Sequence, residues 1–454
     1  MRRAILWGLF LLPCVPLKAQ TTPSDFLSKN ASREKSLLDS LTARYNKDIS
    51  GLSCSNKKQV SEIYKERFEL IKEKFTANEI VSDEKASGYL MQLAQEILNA
   101  NSFLNAHELR ILFSKAWWPN ASSMGEGTIL FNIGLFNRLQ NESQAVFVLC
   151  HELSHYYLNH GNNTIQRYVT TINSDEFQKQ LKSIKKSDYR QNQQVESLAK
   201  KITFNNRRHS REFEHAADSM AIELMKNTNY DLTEALQALA LLDSVDKDKY
   251  HTALNLSERF NFTAYPFKKS WLQSSALMFG VTKEEVKPAE DDSLKTHPDC
   301  PVRIQKLQEA VQKFSRPATK KFIISKDYFE ELKTRFDFEI LNYCFETKKI
   351  STCLYYTLQM TAAFPNNQYL HTLIGNCFNT LYTYQKNHEL GKVTDLPGAA
   401  HSPEYNLLLR LIQNLRLQEM AAICYYYLLQ FQPHFTDSEF TSVWNKSKQN
   451  FTNQ

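Results

Sequence analysis

The amino-acid sequence predicts a mainly α-helical protein with a small β-sheet in its first, larger portion, followed by an α-helical repeat unit of tetratricopeptide type. Three observations predict it. Apolar residues recur at helical spacing around positions 145–158 and again at 213–224, which marks two core-facing helices. Two short runs, Arg110–Lys115 and Thr128–Asn132, read as strands. From about Ala318 the chain is aromatic and helix-patterned, and Pro365 and Pro433 stand two periods of about 34 residues apart, the length of a helix-pair repeat. A chain of 454 residues, at about 100–200 per domain, has room for two or three domains.

In chain order, residues 1–20 come first. Arg2-Arg3, the apolar Ala4 to Leu12, and Pro13 to Ala19 form the basic, hydrophobic and cleavage regions of a secretory signal peptide. Its core is too short for a membrane span, and no later stretch reaches about 18 apolar residues. The expectation is a secreted, periplasmic chain, at most peripheral to a membrane, with no integral span after cleavage. Cutting after Ala19 removes Arg2, Arg3 and Lys18 from a chain of formal charge +6. No basic block remains to call for nucleic acid. Cys14 follows Pro13, a poor residue before a lipidated cysteine. The other cysteines, Cys54, Cys150, Cys300, Cys344, Cys353, Cys377 and Cys424, are odd in number and sparse. That excludes a disulfide scaffold and leaves single bridges open. Residues 21–81 read as a polar, partly helical arm.

The chemistry begins at His151-Glu152-Leu153-Ser154-His155. On a helix, positions i and i+4 lie one above the other with Cβ atoms about 5–6 Å apart. His151 and His155 can therefore both reach one ion at about 2.0–2.1 Å. Glu152 lies slightly off that line, beside a metal-held water, where a general base is needed. Ala145, Val146, Val148 and Leu149 before the motif, and Tyr156 to Leu158 after it, predict a buried helix whose polar trio needs partners. Cys150 points away from the metal face and reads as core. Three fixed positions in five recur by chance. Without a third ligand the histidines would be core or surface residues, and Glu152 a salt-bridge partner.

His209 to Asp218 supplies that ligand. Ser210 can cap a helix start, and Phe213, Ala217, Met220, Ala221 and Leu224 then form a core-facing stripe. Glu214 and Asp218 stand i and i+4 beside it. A tetrahedral catalytic zinc takes three protein ligands and leaves one position open, so Glu214 is the expected third ligand, with one zinc per chain. Asp218, one turn on, suits the acceptor of a ligating histidine's free ring N–H. Glu212 is the rival ligand, on a different face of the helix from Asp218. Downstream, in Thr296 to Arg303, Pro298 and Pro301 fix a turn before a helix expected at Arg303 to Gln312. The turn presents His297 and Cys300 on a loop. An acidic run, Lys283 to Ser293, leads into it, and residues 283–303 are expected to be mobile.

Together these patches resemble the M48 family of zinc metallopeptidases, which includes HtpX and the CAAX prenyl proteases. The likeness covers about Tyr89 to Leu307. It rests on the HExxH pattern at His151 to His155, Glu-x-x-x-Asp at Glu214 to Asp218, and Thr-His-Pro…Arg at Thr296 to Arg303. Upstream, Asn120-Ala121, Gly125 to Gly127 and Asn132 to Leu135 are similar to the family's strand segment before the active-site helix. The resemblance implies an α+β, gluzincin-type domain over residues 82–315 with zinc on His151, His155 and Glu214. It also implies Glu152 as general base, while Asp218 and Arg303 are expected to support the ligands from behind. His297 is implied either as an extra zinc ligand of a latent state or as a stabiliser of the transition state. The chain departs from the family in its long segment Gly161 to Arg208, rich in Lys, Gln and Asn, and in the wide separation of Glu214 from His297.

Residues 316–454 follow a linker near Ser315 to Ile323 marked by Pro317. Repeats beginning near 334, 368 and 402 put Gly375 and Phe378 at the small and aromatic first-helix positions. They put Ala421, Tyr425, Leu428 and Pro433 at second-helix positions. Cys353 replaces the small residue in a degenerate first unit, and Gly391 to Pro403 interrupts the middle one. An unrelated helical bundle would bury the same stripes. The repeat reading adds a concave surface for a protein partner or substrate, a layout that resembles the BepA-type members of the family.

The mechanism these residues imply is hydrolytic. Zinc lowers the pKa of its water towards about 7 and polarises the scissile carbonyl. Glu152 carries the proton to the leaving amine, and His297 is the candidate oxyanion donor. An exposed sheet edge near Asn120 and Ala121 would pair with an extended polypeptide. The expected activity is a metalloendopeptidase acting on extended or misfolded envelope proteins. The alternative is a chaperone-like or scaffolding protein that works through its repeats, with a latent metal site.

Overall fold

The computed structural model describes residues 26–54, 56–104, 109–185, 210–244, 253–273, 300–399 and 401–453. The expected signal peptide, His297 and most of the expected mobile loop lie outside them. The described chain is mostly helical around one small sheet.

In the N-terminal arm, α1 (Ala31–Ser50) and α2 (Lys57–Thr76) pack on each other. Asn30 caps α1 by accepting from the Arg33 N–H at 3.0 Å. Leu41, Ile71 and Phe75 from these helices cluster with Leu112 and Leu130 of the sheet. The arm is thus a cover over one sheet face. α3 (Glu84–Ala100), capped by Asp83, buries Leu90, Leu93, Ala94 and Ile97 on the other side.

Both expected strands form, β1 (Arg110–Ser114) and β3 (Thr128–Asn132), and they pair in parallel from Arg110↔Thr128 to Ser114↔Asn132. Every residue of both is buried, as parallel strands covered on two faces require. A third strand, β2 (Ala121–Ser123), pairs antiparallel with β3, and the order β1-β3-β2 leaves it at the edge. Three residues are too few to show a period-2 pattern.

β3 runs through α4 (Ile133–Phe136) into α5 (Glu142–Tyr157), which is buried from Glu142 to Ser154. Asn141 caps α5 by accepting from the Gln144 N–H at 3.0 Å. Glu142 anchors it. Its carboxylate accepts from Tyr89 Oη at 2.6 Å, Tyr230 Oη at 3.2 Å, and the N–H groups of Ile323, Ile324 and Ser325 at 2.7, 2.9 and 2.8 Å. The expected linker is therefore pinned to α5, and Lys320 also bridges to Tyr230.

Beyond α5 come α6 (His160–Asn173), α7 (Asp175–Lys185), a helix α8 over 210–225, α9 (Glu234–Asp243), α10 (Leu256–Arg259) and α11 (Cys300–Phe314). The helix expected to start at Arg303 starts at Cys300. Pro301 stands in its first turn, where the missing N–H leaves no bond unmade. Cys300 is thus a buried helical residue, not a loop residue, and 300–303 is no part of a mobile loop.

The C-terminal helices are α12 (Lys326–Glu346), α13 (Ile350–Met360), α14 (Gln368–Lys386), α15 (Pro403–Asn414), α16 (Leu417–Leu429) and α17 (Ser438–Thr452). The first begins ahead of the expected 334, because Ser325 caps it by accepting from the Tyr328 N–H. α12 packs on α13, α13 on α14, and α14 on both α16 and α17. At the last junction a Cβ on Gly375 would come within 2.8 Å of both Leu428 methyls and 3.0 Å of Val443 Cγ1. Only glycine permits that approach. The apolar core runs without a break from α3 and α5 into these helices.

Residues 253–273, from the stretch between α9 and α11, lie on the C-terminal helices. Phe260 packs edge-on to Phe378 at 5.4 Å and near Tyr427 at 5.7 Å. Asn414 Nδ2 donates to the Trp271 and Gln273 carbonyls at 3.0 and 2.8 Å. All seven described cysteines are free thiols. Among the described residues, no helix is long and apolar enough to cross a membrane.

Candidate metal centre and active-site cleft

α5 and α8 meet at His151, His155 and Glu214. The two Nε2 atoms are 3.0 Å apart. Glu214 Oε2 lies 3.4 Å from His151 Nε2, and Oε1 lies 3.3 Å from His155 Nε2. Among the described residues this is the cluster of three or more His, Cys, Asp or Glu whose donor atoms all fall within 4.8 Å of one another. Glu214 faces the histidines because Ala217, Ala221 and Leu224 bury the core side of α8. The rival Glu212 is exposed on another face. α8 is already helical at Ser210, so its cap lies outside the described residues.

Behind the cluster, Asp218 Oδ1 is 3.0 Å from His151 Nδ1. Arg303 of α11 donates to Asp218 from Nε and Nη2, each at 2.7 Å, and its Nη1 is 3.0 Å from Glu214 Oε2. Burial alone would lower the His151 pKa, but Asp218 and Glu214 outweigh it and bring it up to about 10. Burial alone would raise Asp218, but Arg303 and His151 hold it at about 2.

The donor atoms converge on one point. With its Nδ1 against Asp218, His151 aims Nε2 at the same point as His155 Nε2 and the Glu214 carboxylate. Two imidazoles and a carboxylate are a zinc donor set that leaves a fourth position for water. A compact point between two ring nitrogens and a carboxylate is a place for a metal cation.

The centre opens into a cleft of about 350 Å³. Asn120 and β2, from Ala121 to Ser123, line it together with Glu152 and His155 of α5, His160, Gly161 and Thr164 of α6, and Glu214 of α8. The expected base and the expected edge residues, Asn120 and Ala121, thus stand around one opening. Two backbones meet at its rim: Gly125 has φ +86°, and a Cβ on Gly161 would lie 3.0 Å from the Gly125 Cα. His160 was not singled out from the sequence. Its only signal there is a histidine five positions after His155, on the far side of a turn that the spacing does not reveal. His297 lies outside the described residues.

A buried helix carrying two histidines and a glutamate, an acidic third donor from a second helix, and an edge strand along the cleft make up the site of a metallopeptidase. Residues 84–311, half of the chain, match Peptidase family M48, and the chain belongs to that family. No curated protein matches it. The family is metal-dependent, typically on zinc, so the chain is a metallopeptidase whose substrates are polypeptides.

Proposed function

We propose that the chain is a zinc endopeptidase that cuts extended or misfolded polypeptides laid along β2. His151, His155 and Glu214 hold the zinc, Glu152 is the base, and Asp218 and Arg303 orient the ligands. The convergence of the three donors at the mouth of a cleft edged by a strand carries this reading.

Zinc, when bound, supplies Lewis acidity to a water and to the scissile carbonyl. Glu152 takes the proton of the attacking water and returns it to the leaving amine. β2 aligns the substrate. The Asn132 N–H donates to the Asn120 carbonyl and the Met124 N–H to the Thr128 carbonyl. By the alternation of an antiparallel ladder, Ala121 and Ser123 turn their backbone groups away from β3, towards the unpaired edge. Asn120 and Ser123 line the cleft, and their side-chain oxygens, buried in the absence of substrate, have no hydrogen-bond partner among the described residues. His297 completes the reading as oxyanion donor or latent-state ligand, and His297→Ala separates the two: lower activity for the first, higher for the second.

The C-terminal helices form the tetratricopeptide-like part of a BepA-like layout. The tight seat of Gly375 under Leu428 and the cores at Phe378 and Ala421 support it. Together with the signal-like sequence of residues 1–20, this layout supports the reading of a periplasmic enzyme of envelope-protein quality control with a protein partner on the repeats. Fractionation of cells expressing the full chain tests the compartment.

Glu152→Gln tests the chemistry. It should keep its zinc and lose cleavage of unfolded casein. Equal cleavage by the variant would contradict the enzymatic reading, and a wild type that cuts nothing would favour the scaffold with a latent metal site.

A further inference from the structure

Asp218 accounts for the outer nitrogen of His151. The outer nitrogen of His155 has a different partner, His160, whose Nδ1 lies 2.9 Å from His155 Nδ1. At that distance one ring donates and the other accepts. Asn159, at φ 56°, places His160 there. This left-handed residue, a conformation asparagine tolerates, ends α5 and starts α6, so His160 folds back over His155 instead of continuing around the helix. The His160 ring is 6% exposed and stacks on Phe213 of α8 at 4.2 Å with planes 13° apart. Its rotation is thereby fixed by the helix that also carries Glu214.

We infer that His160 is a positioning residue of the metal centre: its Nδ1 accepts the Nδ1–H of His155, which fixes the tautomer and ring angle that leave His155 Nε2 bare towards Glu214. The two histidines are thus oriented by unlike partners, His151 by a carboxylate tied to Arg303 and His155 by an imidazole clamped on Phe213. Outer partners of this kind set ligand orientation and basicity, and losing one costs about 10–100-fold in metal affinity.

The inference rests on the zinc site proposed above. Its test is chelator-competition measurement of zinc affinity on the full chain, using wild type, His160→Phe and His160→Asn. Phenylalanine keeps a flat ring on Phe213 but has no acceptor. Asparagine gives up the stack but carries an acceptor oxygen close to the position of Nδ1. The expected result is a loss of about 10–100-fold in His160→Phe, with thermal unfolding of the zinc-free protein unmoved, and recovery of most of that affinity in His160→Asn. Wild-type affinity in His160→Phe would overturn the inference, as would a loss in His160→Asn as large as in His160→Phe, which marks a packing role. A wild type that takes up no zinc would instead remove the metal-centre reading itself, and this inference with it.

Discussion

Asp218 and Arg303 face each other through two hydrogen bonds of 2.7 Å, each residue only 1% exposed. The pair ties α8 to α11. It also reaches both sides of the metal centre, since Asp218 is 3.0 Å from His151 Nδ1 and Arg303 Nη1 is 3.0 Å from Glu214 Oε2. One guanidinium therefore sets the angle of an acid proposed to bind metal and of the acid that orients a proposed ligand.

Removing that cation strands two buried carboxylates. Arg303→Met, close to it in length, should destabilise the zinc-free protein by about 3–5 kcal/mol. Arg303→Lys should recover little, because an ammonium cannot make the two-pronged contact. Urea unfolding measures both. A cost below about 1 kcal/mol in Arg303→Met, the range of surface pairs, would contradict the account.

Glu234 gives an acid limb to stability. Burial alone would raise its pKa, but hydrogen bonds from Asn141, Lys321 and Gln144, with the Lys321 charge, bring it below the usual 4.5. Its stabilisation is present above 4.5 and is lost as pH falls through the lowered folded-state value. Glu234→Gln should be less stable than wild type at neutral pH and show a shallower fall between about pH 5 and pH 3. Equal slopes in urea midpoint against pH would contradict this.

Ser123→Pro probes the edge strand. Proline removes an N–H that points away from β3, and edge strands accept it. Zinc content should not change. Losing one net hydrogen bond to substrate, about 0.5–1.5 kcal/mol, should lower kcat/KM about 2–10-fold, mainly through KM. An unchanged KM would place substrate elsewhere.

Gly375→Ala tests the junction of α14, α16 and α17. The added methyl meets Leu428 and Val443 inside contact distance, and overpacking of a filled core costs about 1–3 kcal/mol. Thermal unfolding should move down accordingly, while a neutral result would show that Leu428 yields freely.

What the sequence made legible had a short repeat on one element. His151 and His155 share a helix face at i and i+4, and Glu214 and Asp218 stand the same way on α8, so periodicity located these side chains. β1 and β3 were legible as apolar runs. β2 was not, because its three residues take their conformation from pairing with β3. His160 escaped because its approach to His155 depends on one left-handed residue, Asn159. Cys300 was misplaced in a loop because proline ends helices more often than it opens them, and only packing shows which. The seating of Phe260 against Phe378 and Tyr427 left no local trace, since it joins segments far apart in the chain.

The most direct measurement is the zinc stoichiometry of purified wild type, Glu152→Gln and Glu214→Ala by elemental analysis. The account predicts one zinc per chain in wild type and in Glu152→Gln, and its loss in Glu214→Ala. A zinc-free wild type, or full occupancy in Glu214→Ala, would contradict it.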